Sequence, residues 1–236
     1  MILLTDCFLL IFFKFVNIIT NMNDFIRART DSQKEVRMTE IKTAADSLFK
    51  EMPYSDITLT TISSKLGWSR ANLYKYISTK EEIFLEITED KMKKYFDSLN
   101  SAFPEGNKYS DEVVAEVWAG TLNASQDYLR YASILTSIIE KNVTVDRLAA
   151  FKKKYFDLAL AFCARLSAML KIQEDAAYTI FVDILCYAGA KASSCAKNPL
   201  VQKALEKINV NPPKKDFYDA MKNFILMEIK WNSKSQ

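Results

Sequence analysis

Apolar side chains recur every three to four residues along most of this chain, and no other feature limits its fold as strongly. Between residues 32 and 52 they stand at Val36, Ile41, Ala44, Ala45, Leu48 and Phe49. This is the period of a helix with one buried side. Only four Gly and five Pro occur among the 236 residues, too few for the tight turns of a β-sandwich or barrel. The sequence therefore predicts an all-α protein.

The same spacing predicts the order of the helices and the division of the chain. The expected helices are 59–66, 70–77, a longer helix after residue 79, 111–124, 126–142, 145–171, 173–197, a short one near 200–208, and 214–231. Pro104, Gly106 and Asn107 mark a break after the long helix. We expect a hydrophobic extension over residues 1–21, a small helical domain over 22–80 and a larger helical domain over 81–236.

Several kinds of catalytic site are excluded because residue types are missing. The chain has no His, which rules out catalytic triads and His-based zinc sites. Its four Gly are too scattered for a Gly-rich phosphate-binding loop. Its four Cys form no C-x-x-C pair; they are Cys7, Cys163, Cys186 and Cys195. We expect these Cys to be reduced core residues of a cytoplasmic protein. We expect no cofactor, no metal and no enzymatic activity, although a helical enzyme that works through carboxylates or Lys stays open.

The first twenty residues form an apolar run that has three interpretations. Ile2–Ile19 is interrupted by Asp6, Lys14 and Asn17 and is just long enough to cross a bilayer as a helix. No basic residue precedes it and no A-x-A site follows it, so it does not resemble a secretory signal. We favour a translation start at Met22, with the run as an upstream extension. A membrane anchor, which would make the protein a membrane-anchored sensor, and an extra docked helix remain as alternatives.

The segment GWSRANLYKYISTKEEIF, which begins at Gly67, carries polar and basic residues between apolar ones at helical spacing. Thr58 can cap a helix over Leu59–Leu66, and Gly67 can end that helix with a positive φ. Ser69 can then cap a helix over Arg70–Ile77. Two short helices joined by a turn that contains Gly predict a helix-turn-helix, whose second helix enters the major groove of DNA.

The outward residues of the second helix are suited to DNA recognition. Arg70 can donate two hydrogen bonds to guanine, and Asn72 can pair with adenine. Other side chains can bind the DNA backbone and fix the register of the helix; these are Tyr74, Lys75, Tyr76 and Lys80. The plainer alternative is that Arg70 and Lys75 only solvate a surface helix and that Tyr76 belongs to the core.

Several motifs together resemble the amino-terminal domain of TetR-family transcriptional regulators. They are I-x-x-A-A-x-x-L-F from Ile41, I-T-L from Ile57, I-x-x-x-L-G from Ile62, and the S-R-A-N-L-Y-K-Y and T-K-E-E-I-F sequences that follow. The resemblance covers residues 34–90. It implies a three-helix DNA-binding domain followed by a divergent helical domain that dimerises and, in many members, binds a small molecule that weakens DNA binding.

The resemblance also implies DNA contacts at individual positions. Together with the chemistry above, it leads us to expect base contacts from Arg70, Ala71 and Asn72. We expect backbone contacts from Thr58, Ser69, Tyr74, Lys75, Tyr76 and Lys80. The chain departs from the family pattern in having Ser63 where Ala is common, Trp68 where a small β-branched residue is usual, and Ile77 where Phe is usual. These changes could shift the packing angle of the recognition helix.

The larger domain carries two further expectations, a dimer interface and a ligand pocket. Helix 173–197 and the last helix could pack against their copies in a four-helix bundle, through Ile184, Ala188, Phe217, Met221 and Phe224. The aromatic middle helices could line a pocket for an apolar or aromatic effector, with Trp118, Tyr128, Tyr155, Phe156, Phe162 and Phe181 around it. Intrachain packing and an ordinary aromatic core are the respective alternatives. The overall expectation is a cytoplasmic, homodimeric repressor that binds a palindromic operator in double-stranded DNA and is released by a ligand.

Overall fold

The computed structural model describes residues 32–195, 199–213 and 216–233. These residues form helices and turns and contain no strand, which confirms the predicted all-α class. The first helix, α1, covers residues 32–51. The others are α2 (Leu59–Leu66), α3 (Arg70–Leu73), α4 (Lys80–Ala102), α5 (Asp111–Ala124), α6 (Gln126–Leu135), α7 (Val145–Leu170), α8 (Glu174–Cys195), α9 (Pro199–Lys207) and α10 (Phe217–Ser233), with 3₁₀ turns at Tyr54–Asp56 and Ile139–Lys141.

The predicted helix over 126–142 is wrong in its second half. Helix α6 ends at Leu135, and a separate 3₁₀ turn follows at Ile139–Lys141. The break falls in the sequence Thr-Ser-Ile-Ile, and β-branched residues lose rotamer freedom in a helix. Ile139 is fully buried, so packing of this side chain favours the turn over continuation of the helix.

The chain divides into two compact units, one that ends at Lys80 and one that begins at Glu81. The core of the first unit consists of apolar side chains from α1, α2 and the segments around α3; they are Ile41, Ala45, Leu48, Phe49, Ile57, Ile62, Leu73 and Ile77. Burying one such large side chain contributes about 1.5–3 kcal/mol. Because Leu73 and Ile77 belong to this core, the segment between them has one side turned inward.

In the second unit, α10 packs against α5 and α8, and α8 also packs against α6 and α7. Cationic side chains of α7 pair with α4 in sequence order. Arg147 contacts Glu82 and Glu86, and Lys154 contacts Glu89. Because a residue further along α7 pairs with a residue further along α4, the two helices run in the same direction.

Two of the four Cys lie where their side chains are described, and they differ. Cys163 is buried in α7, and burial raises the pKa of its thiol to about 11, so the thiol stays protonated and inert. Cys186 is exposed on α8, so the expectation that it is a core residue is wrong. Its neighbours Ile184 and Ala188 occupy the inward positions of the helix.

The hydrophobic extension predicted over residues 1–21, including the run Ile2–Ile19, lies outside the described residues. Within the described part of the chain, no helix combines the length and the hydrophobicity that a bilayer crossing requires.

Candidate nucleic-acid interface

Helix α2 begins and ends at the residues that the sequence indicated. The side chain of Thr58 accepts a hydrogen bond from the Thr61 amide at 3.0 Å, and the Thr61 hydroxyl accepts one from the Thr58 amide at 2.9 Å. These reciprocal bonds satisfy two amides that a helix start leaves unpaired. At the other end, Gly67 has φ 68°, a conformation that favours Gly over residues with a Cβ. The predicted range of this helix is confirmed.

Helix α3 is shorter than predicted. Regular α-helix extends only over Arg70–Leu73, whereas the sequence predicted Arg70–Ile77. Hydrogen bonds between residues three apart continue the turn beyond Leu73. The Lys75 amide donates to the Asn72 carbonyl, and the Tyr76 amide donates to the Leu73 carbonyl. Ser69 caps the helix as predicted, since its hydroxyl accepts from the Asn72 amide at 3.2 Å. Without a second α-helical turn, this segment depends on tertiary contacts to keep its shape.

The predicted base-reading side chains lie on the outer side of this segment. Arg70 and Ala71 are exposed, and Asn72 is half-buried. The Arg70 guanidinium donates to the Tyr74 hydroxyl at 3.3 Å and lies 5.9 Å from the centroid of the Tyr74 ring. Both side chains are solvent-accessible, so this contact leaves Arg70 near the surface and orients its side chain.

The residues predicted to bind the DNA backbone fall into two groups. Thr58, Ser69, Tyr74 and Lys75 are exposed, and Lys75 has no ion-pair partner among the described residues. Tyr76 and Lys80, in contrast, are half-buried and engaged in contacts within the first unit. Thr58 and Ser69 also cap helices from their exposed positions, whereas Tyr76 and Lys80 are the two whose side chains are withdrawn from the surface by such contacts.

Lys80 connects the start of α4 to the turn before α2. Its ammonium group donates to the Tyr54 carbonyl at 3.0 Å and the Ile57 carbonyl at 2.7 Å, and it lies 4.0 Å from the centroid of the Tyr54 ring. Hydrogen bonds from a charged donor are stronger than those between neutral groups. Lys80 therefore holds this turn in place.

Tyr76 contacts an aromatic side chain in the turn between α2 and α3. The rings of Trp68 and Tyr76 have centroids 5.9 Å apart and planes at 43°. The guanidinium carbon of Arg37, on α1, lies 5.3 Å from the centroid of the Trp68 ring. In the sequence, Trp68 stands out only as a departure from the family pattern, and no pattern indicates its contact with Arg37.

The aromatic residues predicted to surround a ligand are mostly brought together, but they pack against one another. The rings of Trp118, Phe162 and Phe181 are fully buried, and the Trp118 centroid lies 5.2 Å from that of Phe162 and 6.3 Å from that of Phe181. The Trp118 indole N–H donates to the Tyr95 hydroxyl at 2.9 Å. This contact was not foreseen in the sequence.

The remaining members of the predicted pocket lie at its edge or outside it. Tyr128 is buried and stacks on Tyr95 with centroids 5.3 Å apart. Tyr155 is half-buried, and burial raises the pKa of its hydroxyl to about 12. Phe156 contacts the Tyr155 ring but is 42% exposed, so it lies on the surface of α7.

Four of the five residues predicted at a subunit interface are already buried within one chain. They are Ile184, Ala188, Phe217 and Met221. Phe224 is half-buried and stacks on Tyr187, with centroids 4.1 Å apart and planes at 18°. The four buried residues lie on α8 and α10, two helices that pack against each other.

Two family models match this chain. The model described as bacterial regulatory proteins, tetR family, matches residues 41–87. The model described as the tetracyclin repressor-like C-terminal domain matches residues 89–230, which is more than half of the chain. No curated protein sequence matches it.

Solved structures share its fold at low sequence identity. A TetR-family transcriptional regulator from Mesorhizobium loti MAFF303099 is 18% identical with a TM-score of 0.58, over 84% of this chain and 95% of that one. The fatty acid degradation regulator FadR from Bacillus halodurans is 15% identical with a TM-score of 0.53, over 82% and 94%. A TetR/AcrR-family regulator from Thermobifida fusca YX-ER1 is 14% identical with a TM-score of 0.53, over 82% and 96%.

The match to the amino-terminal model includes all of the helix-turn-helix, and the match to the carboxyl-terminal model runs from α4 into α10. Both the resemblance inferred from the sequence motifs and the absence of an enzymatic role are thereby confirmed. The chain belongs to the TetR family, whose members are DNA-binding transcriptional regulators rather than enzymes.

Proposed function

We propose that this protein is a homodimeric repressor that places one α3 segment of each subunit in the major groove of a palindromic operator. The observation that carries this proposal is the two-sided character of the α3 segment. Leu73 and Ile77 are buried, while Arg70, Ala71 and Asn72 lie toward the solvent side. A guanidinium and a carboxamide at the start of a recognition helix are suited to guanine and adenine, respectively.

The exposed polar residues around the segment would hold the DNA backbone. Lys75 supplies a cation without an ion-pair partner in the described chain, and Thr58, Ser69 and Tyr74 supply hydroxyl groups at the surface. Contacts of this kind fix register and orientation without reading sequence. Tyr76 and Lys80 would contribute mainly by holding the segment, with any phosphate contact in addition to their contacts within the unit.

The subunit contact is proposed on the outward side of α8 and α10. The stacked pair Tyr187 and Phe224 joins the two helices, and Met227 and Trp231 are 55% and 74% exposed on α10. Residues 224, 227 and 231 follow one another at helical spacing, so they form a stripe on one side of α10. An exposed apolar stripe of this kind fits a two-fold contact with a second copy.

The effector is proposed to be an apolar or aromatic molecule that binds among the aromatic side chains of the second unit. Trp118, Phe162 and Phe181 provide apolar surface there, and Tyr155 provides a hydroxyl near its edge. The FadR structure, which belongs to a regulator of fatty acid degradation, has a similar fold and makes a fatty acid a reasonable first probe. An effector releases DNA only if it binds the low-affinity state more tightly.

Selection of bound fragments from random double-stranded DNA tests the function. We expect the purified protein to select a palindrome with half-sites about one DNA turn apart (roughly 34 Å) or somewhat more. Light scattering should find two chains on each operator. Trp231→Glu together with Met227→Glu should give a folded monomer with weaker operator binding. Recovery of unrelated sequences, or of a single half-site bound by one chain, would contradict the proposal.

The effector is tested separately with dodecanoate and 1-naphthol as probes. A compound that acts as proposed should raise the melting temperature of the protein and release it from its operator at the same concentrations. The variant Phe181→Leu, which removes one ring of the proposed site, should weaken both the rise in melting temperature and the release from the operator. If neither probe changes DNA affinity, the effector class is wrong, while the operator proposal stands on its own selection experiment.

A further inference from the structure

Trp68 lies at the meeting point of three segments of the first unit. It follows Gly67 in the turn between α2 and α3, and its amide donates to the Ser63 carbonyl at 2.9 Å. Its half-buried side chain contacts the Tyr76 ring at 5.9 Å and the Arg37 guanidinium at 5.3 Å. Trp68 therefore connects α1, the turn and the residues that follow the recognition helix.

Arg37 is itself held in place on α1. Its guanidinium donates to the Glu40 carboxylate at 2.8 Å, one helical turn further along. This hydrogen bond is the main reason that the pKa of Arg37 is raised above its ordinary value. A fixed cation beside an indole ring is attracted by the negative face of the ring system.

The α3 segment needs such a contact because its own helix is so short. Leu73 and Ile77 anchor its inner side, but two anchors define only a line, about which the segment can still rotate. The contact between Tyr76 and Trp68 attaches the segment to the turn before it and restricts that rotation. Base-reading groups work only when they are held within about 0.5 Å and 10–20° of their productive geometry.

We propose that Trp68 is a positioning residue for sequence recognition, which links Tyr76 to Arg37 and thereby fixes the orientation in which Arg70 and Asn72 meet the bases. This inference rests on the proposed DNA contacts. A small β-branched side chain, which is usual at this position in the family, is too short to contact both partners.

The test compares three duplexes for each protein. These are the selected operator, the same operator with the base pairs opposite Arg70 and Asn72 exchanged, and a duplex of random sequence. For Trp68→Val we expect the preference for the operator over the exchanged duplex to fall about tenfold, with affinity for the random duplex within about twofold of wild type. Trp68→Phe keeps an aromatic ring and should retain the preference within about threefold.

A second variant guards against a folding defect at Trp68. Arg37 is on the surface, with its side chain 48% exposed, so Arg37→Gln should fold normally. It removes the cation beside the indole and should lower the same preference about threefold. Melting curves and circular dichroism establish that each variant is folded.

Three results would overturn the inference. One is a folded Trp68→Val variant with the preference of wild type. Another is an equal loss of affinity for all three duplexes, which indicates a backbone contact or a general defect. The third is a Trp68→Phe variant that behaves like Trp68→Val, which assigns the effect to the indole N–H. A wild-type protein with no preference for any duplex removes the proposed function itself, a result that differs from all three.

Discussion

Two groups of aromatic residues, one around Trp68 in the first unit and one around Trp118 in the second, have opposite surroundings. Trp118 is fully buried, its indole N–H is bound by the Tyr95 hydroxyl, and its neighbours are Phe162 and Phe181. Trp68 is half-buried and lies next to a cation. Its indole N–H donates to no group among the described residues.

The difference shows that aromatic residues serve separate purposes in the two units. Around Trp118, every ring removes apolar surface from water and the polar atom has a partner, as a stable core requires. Around Trp68, the ring keeps part of its surface in water, and the contact connects segments whose outward side chains are proposed to meet DNA. Substitution in the first group should therefore reduce stability, and substitution in the second should reduce discrimination between DNA sequences.

The largest expected effect is the loss of stability on truncation of Trp118. Trp118→Ala should lower the free energy of unfolding by about 3–5 kcal/mol, because it removes a buried ring and leaves a cavity. Trp68→Ala, a matched substitution at a half-buried site, should cost only about 1–2 kcal/mol. Urea unfolding followed by circular dichroism measures both values. Equal costs would mean that the two groups do not differ as described.

The second largest expected effect is a loss of stability at alkaline pH, caused by the buried tyrosines near Trp118. Burial raises the pKa of Tyr95 and of Tyr128 well above the usual value near 10, so the folded state keeps their protons longer than the unfolded state does. Stability is then fully present below pH 10 and decreases as pH rises above it, by up to about 1.4 kcal/mol per tyrosine per pH unit. Urea unfolding at pH 8, 10 and 11 measures the decrease. Tyr95→Phe should reduce the slope, and an unchanged slope in that variant would refute the assignment.

Two lysines of the first unit should show a smaller contrast, in which replacement of one lowers stability and replacement of the other lowers DNA affinity. Lys80→Met removes a cation bound to the Tyr54 and Ile57 carbonyls and should cost about 2 kcal/mol. Lys75→Met, at an exposed site, should change stability by less than about 0.5 kcal/mol. It should reduce the slope of log DNA affinity against log salt concentration by about one. Thermal unfolding and binding at several salt concentrations separate the two effects. A stable Lys80→Met protein with a reduced salt slope would assign Lys80 to phosphate binding alone.

The smallest expected effect is the loss of stability on removal of a single tyrosine hydroxyl, at Tyr95 or at Tyr76. Tyr95→Phe leaves the Trp118 indole N–H buried without its partner and should cost about 1.5 kcal/mol. Tyr76→Phe keeps the ring that contacts Trp68 and removes a hydroxyl from a half-buried residue, so it should cost less than about 0.5 kcal/mol. Urea unfolding of both variants tests the pair. A larger loss at Tyr76 would show that its hydroxyl, and not its ring, holds the segment.

Sequence patterns predicted the caps of the first unit because those depend on neighbouring residues. Thr58 and Ser69 bind amides three residues away, and Gly67 ends α2 through its own backbone conformation. The length of α3 could not be predicted in this way. Its helical pattern extends to Ile77 in the sequence, but the regular helix ends at Leu73 because the chain tightens toward the buried Ile77.

The second unit shows where sequence patterns fail to assign a side chain to one role. Ile184 and Met221 lie on apolar helix sides, as predicted, but the sequence does not state whether such a side faces another helix of the chain or a second subunit. The structure buries both within the chain. Likewise, Trp118 and Phe156 are both aromatic residues on helices, yet one is buried and the other is 42% exposed. That difference depends on contacts distant in sequence.

Equilibrium binding of wild type and Arg70→Ala to the selected operator and its single-base variants tests the central claim most directly. Wild type should prefer the operator over random DNA by about 10³-fold or more, and Arg70→Ala should lose discrimination at one base pair of each half-site, worth about 1–3 kcal/mol. A folded wild-type protein that binds all duplexes equally at low salt, or an Arg70→Ala variant as selective as wild type, would contradict the claim that α3 reads DNA.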